Sequence, residues 1–271
     1  FWKMAGRGKR SVVLDLKTDE GVRRLRQLVA TADVLVENFR PGKLEALGLV
    51  PEDLIAEQPK LVVTRVTGFG QTGPYAGRPG FATLAEAMSG FASVNGEPDG
   101  APLLPPIALT DEVTAIVAAF ATMVAVHSGV GQVVDVNLLE SMLQLMGPLP
   151  SAYAALGYEQ PRLGAGIPYS VPRSTYRCAD GRWVAISATA EPVARRLMAL
   201  VGAGDDPRFQ SFDGRVAHRE EVEALVARWV AERSMDEVLA EAEAAHAAAA
   251  PVYGQAEVAT DPHVVDRDVL V

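Results

Sequence analysis

The stretch PPIALTDEVTAIVAAFATMVAV, Pro105 to Val126, sets one aspartate, Asp111, at the head of a long apolar run. Two kinds of chemistry fit. An aspartate or the neighbouring Thr110 can cap a helix by accepting its free backbone N–H groups. A carboxylate in the same place can also be a nucleophile, kept ionised and oriented by the positive end of the helix dipole. The segment alone leaves both readings open. Cationic groups cluster elsewhere: Arg7, Lys9 and Arg10 near the start, then Lys17 and Arg40 just beyond β-rich runs. Cys178 is the one cysteine, so an intrachain disulfide and a thiolate zinc site are both excluded. The four histidines, His127, His218, His246 and His263, are scattered, and no metal site is expected.

The elements that must carry these groups follow from periodicity. SVVLDLK (Ser11–Lys17), VLVEN (Val34–Asn38) and LVVTRVTGFG (Leu61–Gly70) read as strands. Thr18 and Asp19 offer caps to a helix with Val22, Leu25, Leu28 and Val29 on one face. Pro41 to Ala56 is short helical material broken at Gly48 and Pro51. Strand and helix alternate, which is the signature of a parallel sheet, and such sheets bind ligands beyond their carboxyl ends. GQTGPYAGRPG (Gly70–Gly80) is a loop; FATLAEAMSGFASV is a helix ending near Gly90; a helix from about Asp111 to His127 follows. GQVVDVNLLESMLQLM is a short strand running into a helix. From about Tyr158 the character changes to a hairpin, Ser174–Cys178 and Trp183–Ala188 around Asp180-Gly181, then helices over Pro192–Val201, Val216–Arg233 and Met235–Ala250. The expected fold is α/β: a Rossmann-like parallel sheet in a large domain, residues 1–157, and a smaller α+β domain, residues 158–250.

Composition narrows the function class. The chain has 271 residues, 49% hydrophobic and 22% charged, with a net charge of −9. An acidic chain without a basic run is a poor nucleic-acid binder. Val113 to Val126 is short for a membrane span and reads as a core helix, so no membrane partner is expected and the location expected is cytoplasmic.

Six blocks then occur in order: GRGKRSVVLDLKTDEG, VLVENFRPGKLEALGL, VTGFGQTGPYAGRPGF, AEAMSGFASVNGEPDGAP, TDEVTAIVAAF and GVGQVVDVNLLES. Together they resemble the class III CoA-transferase family, which also holds α-methylacyl-CoA racemases and carnitine-CoA transferases. The resemblance covers nearly the whole chain. It implies a further strand–helix–strand unit ahead of the first block, a segment over residues 251–271 returning to the large domain, and an interlocked homodimer. It implies that CoA, as acyl-CoA, and a free carboxylic acid are the substrates, with no metal. It makes Asp111 the nucleophile that forms an aspartyl anhydride and then an aspartyl-CoA thioester.

The resemblance also places the CoA site. It implies contacts from Leu14, Asp15 and Lys17 and from the turn Asn38, Phe39 and Arg40, with Lys17 and Arg40 on phosphates and Phe39 on the adenine. The RPGF turn, with Arg78, Gly80 and Phe81, is implied to line the acyl end. Ala46 stands where some members carry another arginine. Phe81 stands where racemases carry a histidine, and Ala82 where many members carry aspartate. A two-base racemase needs a base on each face, so Phe81 speaks against the racemase or epimerase alternative. Retention of Asp111 speaks against a non-catalytic acyl-CoA-binding relative. The acyl donor and acceptor acids are not specified by these residues.

Overall fold

Three valine-rich runs pair side by side in a parallel sheet whose middle strand is closed off on both faces. The computed structural model describes residues 2–270; Phe1 and Val271 lie outside the described residues. In chain order the first elements are α1 (Trp2–Ala5), α2 (Asp19–Val29), β1 (Val34–Glu37), α3 (Lys43–Ala46), α4 (Pro51–Glu57) and β2 (Val62–Thr67). They are followed by α5 (Ala82–Met88), α6 (Phe91–Val94), α7 (Leu109–Ser128), β3 (Gln132–Asn137), α8 (Leu138–Leu145) and α9 (Leu149–Leu156). The strand order is β1-β2-β3, every pair parallel, with Glu37 opposite Arg65, Arg65 opposite Asp135 and Thr67 opposite Asn137.

Alternation along β2 explains why the sheet is two-sided. Val63 joins a core of Val29, Leu44, Leu49, Leu54 and Leu61 under α2, α3 and α4. Thr64 turns the other way and meets Thr122 of α7, hydroxyl to hydroxyl at 2.6 Å. Side chains of period two on a covered sheet give this result. Burying each of the large aliphatic side chains in that core contributes about 1.5–3 kcal/mol.

The run Ser11–Lys17 does not form the expected strand. Val12 and Val13 are 64% and 96% exposed, and the segment ends in a turn where the Thr18 N–H and hydroxyl both donate to the Asp15 carbonyl. A strand is stable only when its backbone groups find a ladder, and no described strand pairs with this run. Thr18 is the helix cap that the sequence suggests, accepting from the Gly21 N–H at 3.1 Å.

α7 also differs from a simple core helix. Its buried residues are Thr110, Thr114, Ala118, Thr122 and Ala125, a small and partly hydroxylic stripe. Its large residues Ile116, Phe120, Met123 and Val124 are 55–72% exposed. By length and composition alone it is the one helix among the described residues apolar enough to cross a membrane. Small residues on the packed side let the helix lie close to β2; the apolar bulk faces outward.

The loop between β2 and α5 is closed by its glycines. Gly68 and Gly80 approach so closely that a Cβ on either would overlap the other's Cα. These two glycines serve a close approach of backbone to backbone. Inside the loop, Phe69 and Tyr75 meet edge to face at 5.9 Å, and the Arg78 guanidinium lies 3.8 Å from the Tyr75 ring centroid. Asp135 of β3 accepts the Gln71 N–H at 2.9 Å and ties the loop to the sheet.

The chain divides into two compact units. The first takes residues 1–93 and 102–159, the second residues 94–101 and 160–271. In the second, β4 (Arg173–Arg177), β5 (Trp183–Ser187) and β6 (Ala249–Pro251) form an antiparallel sheet in the order β4-β5-β6. It is covered by α10 (Glu191–Leu200), α11 (Phe212–Ala217), α12 (Arg219–Ala231) and α13 (Met235–Ala244); α14 (Gln255–Thr260) and α15 (Pro262–Asp266) follow. The expected hairpin is present. The helix expected to run to Ala250 stops at Ala244, because Ala249 to Pro251 joins the sheet instead. The helix expected over Val216–Arg233 begins afresh at Arg219, after a break at His218. Arg162 fastens residues 97–100 to this unit by donating to the carbonyls of Glu97, Pro98 and Gly100.

The crossing of Gly68 and Gly80 gives a test of the loop. Gly68→Ala is expected to lower stability by about 1–3 kcal/mol, the range for a forced overlap in a packed place. A urea midpoint that stays within error of the parent would show that the two backbones can part freely.

Candidate active site

The first unit carries an open cleft of about 780 Å³ bounded by the ends of β1 and β2, by α7 and by Leu138 of α8. Val36, Glu37 and Asn38 line one side, Thr64 and Val66 the floor, and Asp111, Glu112, Thr114 and Ala115 the mouth formed by the first turns of α7. Asp111 is exposed, stands third in α7, and accepts no hydrogen bond among the described residues. The residue at the cap position is Ala108, with no side-chain bond to the helix. Neither Asp111 nor Thr110 therefore caps α7. Thr110 is fully buried and donates its hydroxyl to Oε1 of Glu86 on α5 at 2.8 Å. Asp111 is left with free oxygens, facing a cleft, in the first turn of a 20-residue helix that has no side-chain cap. A negative charge in that field gains about 0.3–1 kcal/mol.

Asn38 shares the cleft with Asp111. Phe39 and Arg40 continue the same turn. Phe39 is half-buried against the Leu44–Leu54 core, so its ring packs on the protein. Arg40 is exposed, and its guanidinium has no partner among the described residues. Lys17 lies in the turn after residues 11–14, its N–H bonded to Asp15 Oδ1 at 3.0 Å; Leu14 is partly buried there. Arg78 stacks on Tyr75, Gly80 crosses Gly68, and Phe81, 68% exposed, precedes the first turn of α5. Of the expected site residues, Asn38 and Asp111 are brought into one cleft. The Lys17 turn and the Arg78–Phe81 turn do not line it.

What fixes the Asn38–Arg40 turn is a buried charge cluster that the sequence reading missed. Arg65 on β2 donates from Nε to Glu37 Oε1 at 2.6 Å and from Nη1 to Glu45 Oε1 of α3 at 2.6 Å. The other oxygen of Glu37 accepts the Phe39 N–H at 2.7 Å. Side chains of Arg65 and Glu37 are 6% and 3% exposed. The arginine thus joins the end of β1 to α3, and the glutamate folds the turn between them. The Arg65 hydrogen bond holds the Glu45 carboxyl below its ordinary range, against the opposing effect of burial. The available signal was an opposite pair, the last residue of VLVE and the arginine within VVTRVT, which come into register only in a parallel sheet. No group of three or more His, Cys, Asp or Glu side chains among the described residues is arranged to hold a metal ion.

This geometry has relatives. The model of CoA-transferase family III matches residues 1–271. The chain belongs to that family. It is 36% identical over 278 residues to the succinyl-CoA–D-citramalate CoA-transferase of Chloroflexus aurantiacus, covering 100% of this chain and 69% of the relative. It is 36% identical over 278 residues to the succinate–glutarate CoA-transferase of Agrobacterium fabrum, with the same coverage of 100% and 69%. The alpha subunit of a Chloroflexus aurantiacus succinyl-CoA–L-malate CoA-transferase is 35% identical, over 98% of this chain and 64% of its own length. Among solved structures, a CAIB/BAIF family protein from Brucella suis superposes with a TM-score of 0.82 at 34% identity, over 97% of this chain and 71% of that one. A hypothetical protein from Mycobacterium tuberculosis gives 0.85 at 28% identity, over 98% and 73%.

The buried cluster yields a stability test. Arg65→Met leaves two carboxylates without their cation and is expected to cost about 3–5 kcal/mol. Glu45 has a folded value below its unfolded one, so its contribution is full above about pH 5 and is lost as pH falls below about 4. Urea titrations between pH 7 and pH 3 should therefore show the gap between parent and variant narrowing below about pH 4. A gap that is absent, or that widens, would remove the cluster from the forces holding this turn.

Proposed function

We propose that this chain belongs to an enzyme that moves CoA from an acyl-CoA to a free carboxylic acid, with Asp111 as the covalent nucleophile. The observation that carries the reading is Asp111 itself: an uncapping, unpaired carboxylate at the mouth of a cleft on a helix N-terminus. One Asp111 oxygen attacks the thioester carbonyl. The C–S bond breaks, CoA leaves as thiolate, and a mixed anhydride remains. The thiolate then attacks the Asp111 carbonyl, releases the first acid as its carboxylate, and leaves an aspartyl-CoA thioester. The acceptor carboxylate attacks that thioester, forming a second anhydride and freeing thiolate again. Attack of the thiolate on the acceptor carbonyl gives the new acyl-CoA and restores Asp111. Each intermediate, anhydride or thioester, keeps an activated acyl group, which is why a carboxylate suits the task.

The donor proposed is succinyl-CoA and the acceptor another small dicarboxylic acid, on the strength of the names of the similar transferases. Arg40, with its free guanidinium, is proposed to meet a CoA phosphate, with Lys17 as a second cation and Asn38 beside the cleft. Leu14, Asp15 and Phe39 belong to the same proposed CoA surface, and Arg78, Gly80 and Phe81 to the acyl end. In this reading residues 1–157 form the CoA-binding and catalytic domain, 158–250 the small domain and 251–271 the return segment. The working protein is proposed to be an interlocked, cytoplasmic homodimer; the exposed apolar residues Ile116, Phe120 and Met123 of α7 support a covering surface. A racemase is disfavoured because Phe81 cannot carry a proton.

Asp111→Asn separates nucleophile from scaffold, since asparagine is nearly isosteric and suits helix starts equally well. The variant is expected to fold and bind acyl-CoA, to form no hydroxylamine-sensitive adduct at residue 111, and to lose activity by about 10³-fold or more, the scale of removing a covalent catalyst. Retention of near-parental transferase activity would end the proposal. Separately, Arg40→Ala is expected to weaken CoA binding by about 1.5–3 kcal/mol, as for a charged hydrogen bond. Calorimetry giving the parental affinity would return Arg40 to the solvated surface.

A further inference from the structure

Glu86 is a buried carboxylate of the first unit for which the reaction above has no use. It lies on α5 and is 4% exposed. No salt bridge reaches it among the described residues; its side chain is met by the Thr110 hydroxyl, at 2.8 Å. A buried carboxylate without a cation is costly to keep, and here it spends its acceptor on one particular residue. Thr110 is itself fully buried and directly precedes Asp111. Its carbonyl accepts the Thr114 hydroxyl at 2.7 Å. Thr110 is thus held at both its side chain and its carbonyl.

The head of α7 has no side-chain cap of its own, because Ala108 stands at that position. An uncapped helix start leaves its first N–H groups unsatisfied and is prone to fray. The bond from Thr110 to α5 supplies an anchor that the local sequence lacks. Asp111 is joined to Thr110 through one planar peptide, so the direction of its carboxylate follows from where Thr110 is fixed. We propose that Glu86 is a positioning residue: through Thr110 it sets the Asp111 carboxylate for attack on the thioester. This rests on the reading of Asp111 as nucleophile. Its energetic weight comes from geometry, since a misplacement of about 1 Å at a reacting group can cost about 10²-fold in rate.

The test uses the full-length enzyme and succinyl-CoA, with adduct at residue 111 followed by rapid quench and peptide mass, and CoA affinity followed by calorimetry. Thr110→Val removes the hydroxyl and keeps the shape; Glu86→Leu removes the acceptor; Glu86→Gln keeps an acceptor oxygen. Thr110→Val and Glu86→Leu are expected to slow adduct formation by about 10- to 100-fold, the range for a lost hydrogen bond to a charged group. CoA affinity should stay within about twofold, because the change lies in orientation and not in binding. Glu86→Gln should recover most of the rate, and the Thr110→Val/Glu86→Leu double variant should be no slower than the slower single variant, since both break one bond. The parental rate in Thr110→Val, additive losses in the double variant, or a matching fall in CoA affinity would each overturn the proposal. If Glu86→Leu does not fold, Thr110→Val and Glu86→Gln decide the matter. Asp111→Asn runs in parallel: an adduct persisting there overturns the Asp111 reading itself, whereas adduct confined to Asp111 with no effect at Thr110 overturns only the role of Glu86.

Discussion

The Arg65 guanidinium, closed between Glu37 and Glu45, is the constraint on which the first unit turns. Removing a cation and one anion from water, with a second anion partly withdrawn, is expensive, and the attraction between them repays it only with near-ideal geometry. That requirement fixes the register of β1 on β2, because Glu37 and Arg65 must be directly opposite. It fixes α3 on the sheet through Glu45. It also decides the course of the backbone after β1, because the second oxygen of Glu37 is taken by the Phe39 N–H. The wall of the cleft that faces Asp111 is therefore set by a group that need not touch any substrate.

The opposite wall is built by a different economy. α7 packs through threonine and alanine, with Thr122 bonded to Thr64 of β2 and Thr110 bonded to Glu86 of α5. Small residues allow close approach, and hydroxyls satisfy what the close approach would otherwise leave unpaired. The larger apolar side chains are displaced to the outer face. One helix thus carries a tight polar seam on one side, an apolar surface on the other, and a free carboxylate at its head. The loop after β2 follows the same rule of close approach, with Gly68 and Gly80 crossing where no side chain fits.

Much of this was legible in the residues. The alternation of valine-rich runs with helical stretches gave two of the three strands of the parallel sheet correctly, and GQVVDVN supplied the third, β3, as a short strand before a helix. Asp180-Gly181 marked the hairpin, and Asp111 stood out by its place at the head of an apolar run. The misses have physical causes. Ser11–Lys17 has strand composition, but composition cannot supply a neighbour with which to share hydrogen bonds. Ala249–Pro251 follows a helical pattern in alanine-rich sequence, yet the edge of β5 captures it. Arg65, Glu86 and Thr110 looked ordinary because their partners lie 28, 24 and 24 residues away.

What the sequence determined by itself is what depends on near neighbours: the periodicity of each element, the turn at Asp180-Gly181, the cap at Thr18 and, through six ordered blocks, membership of CoA-transferase family III. What tertiary structure decided is the pairing of groups distant along the chain. A hydrogen bond forms only within about 3 Å and a narrow range of angles, and no local pattern encodes which distant donor will arrive there. For that reason the sequence could offer Asp111 as either cap or nucleophile. Only the folded chain, by giving Thr110 to Glu86 and leaving Ala108 at the cap, left the Asp111 carboxylate free.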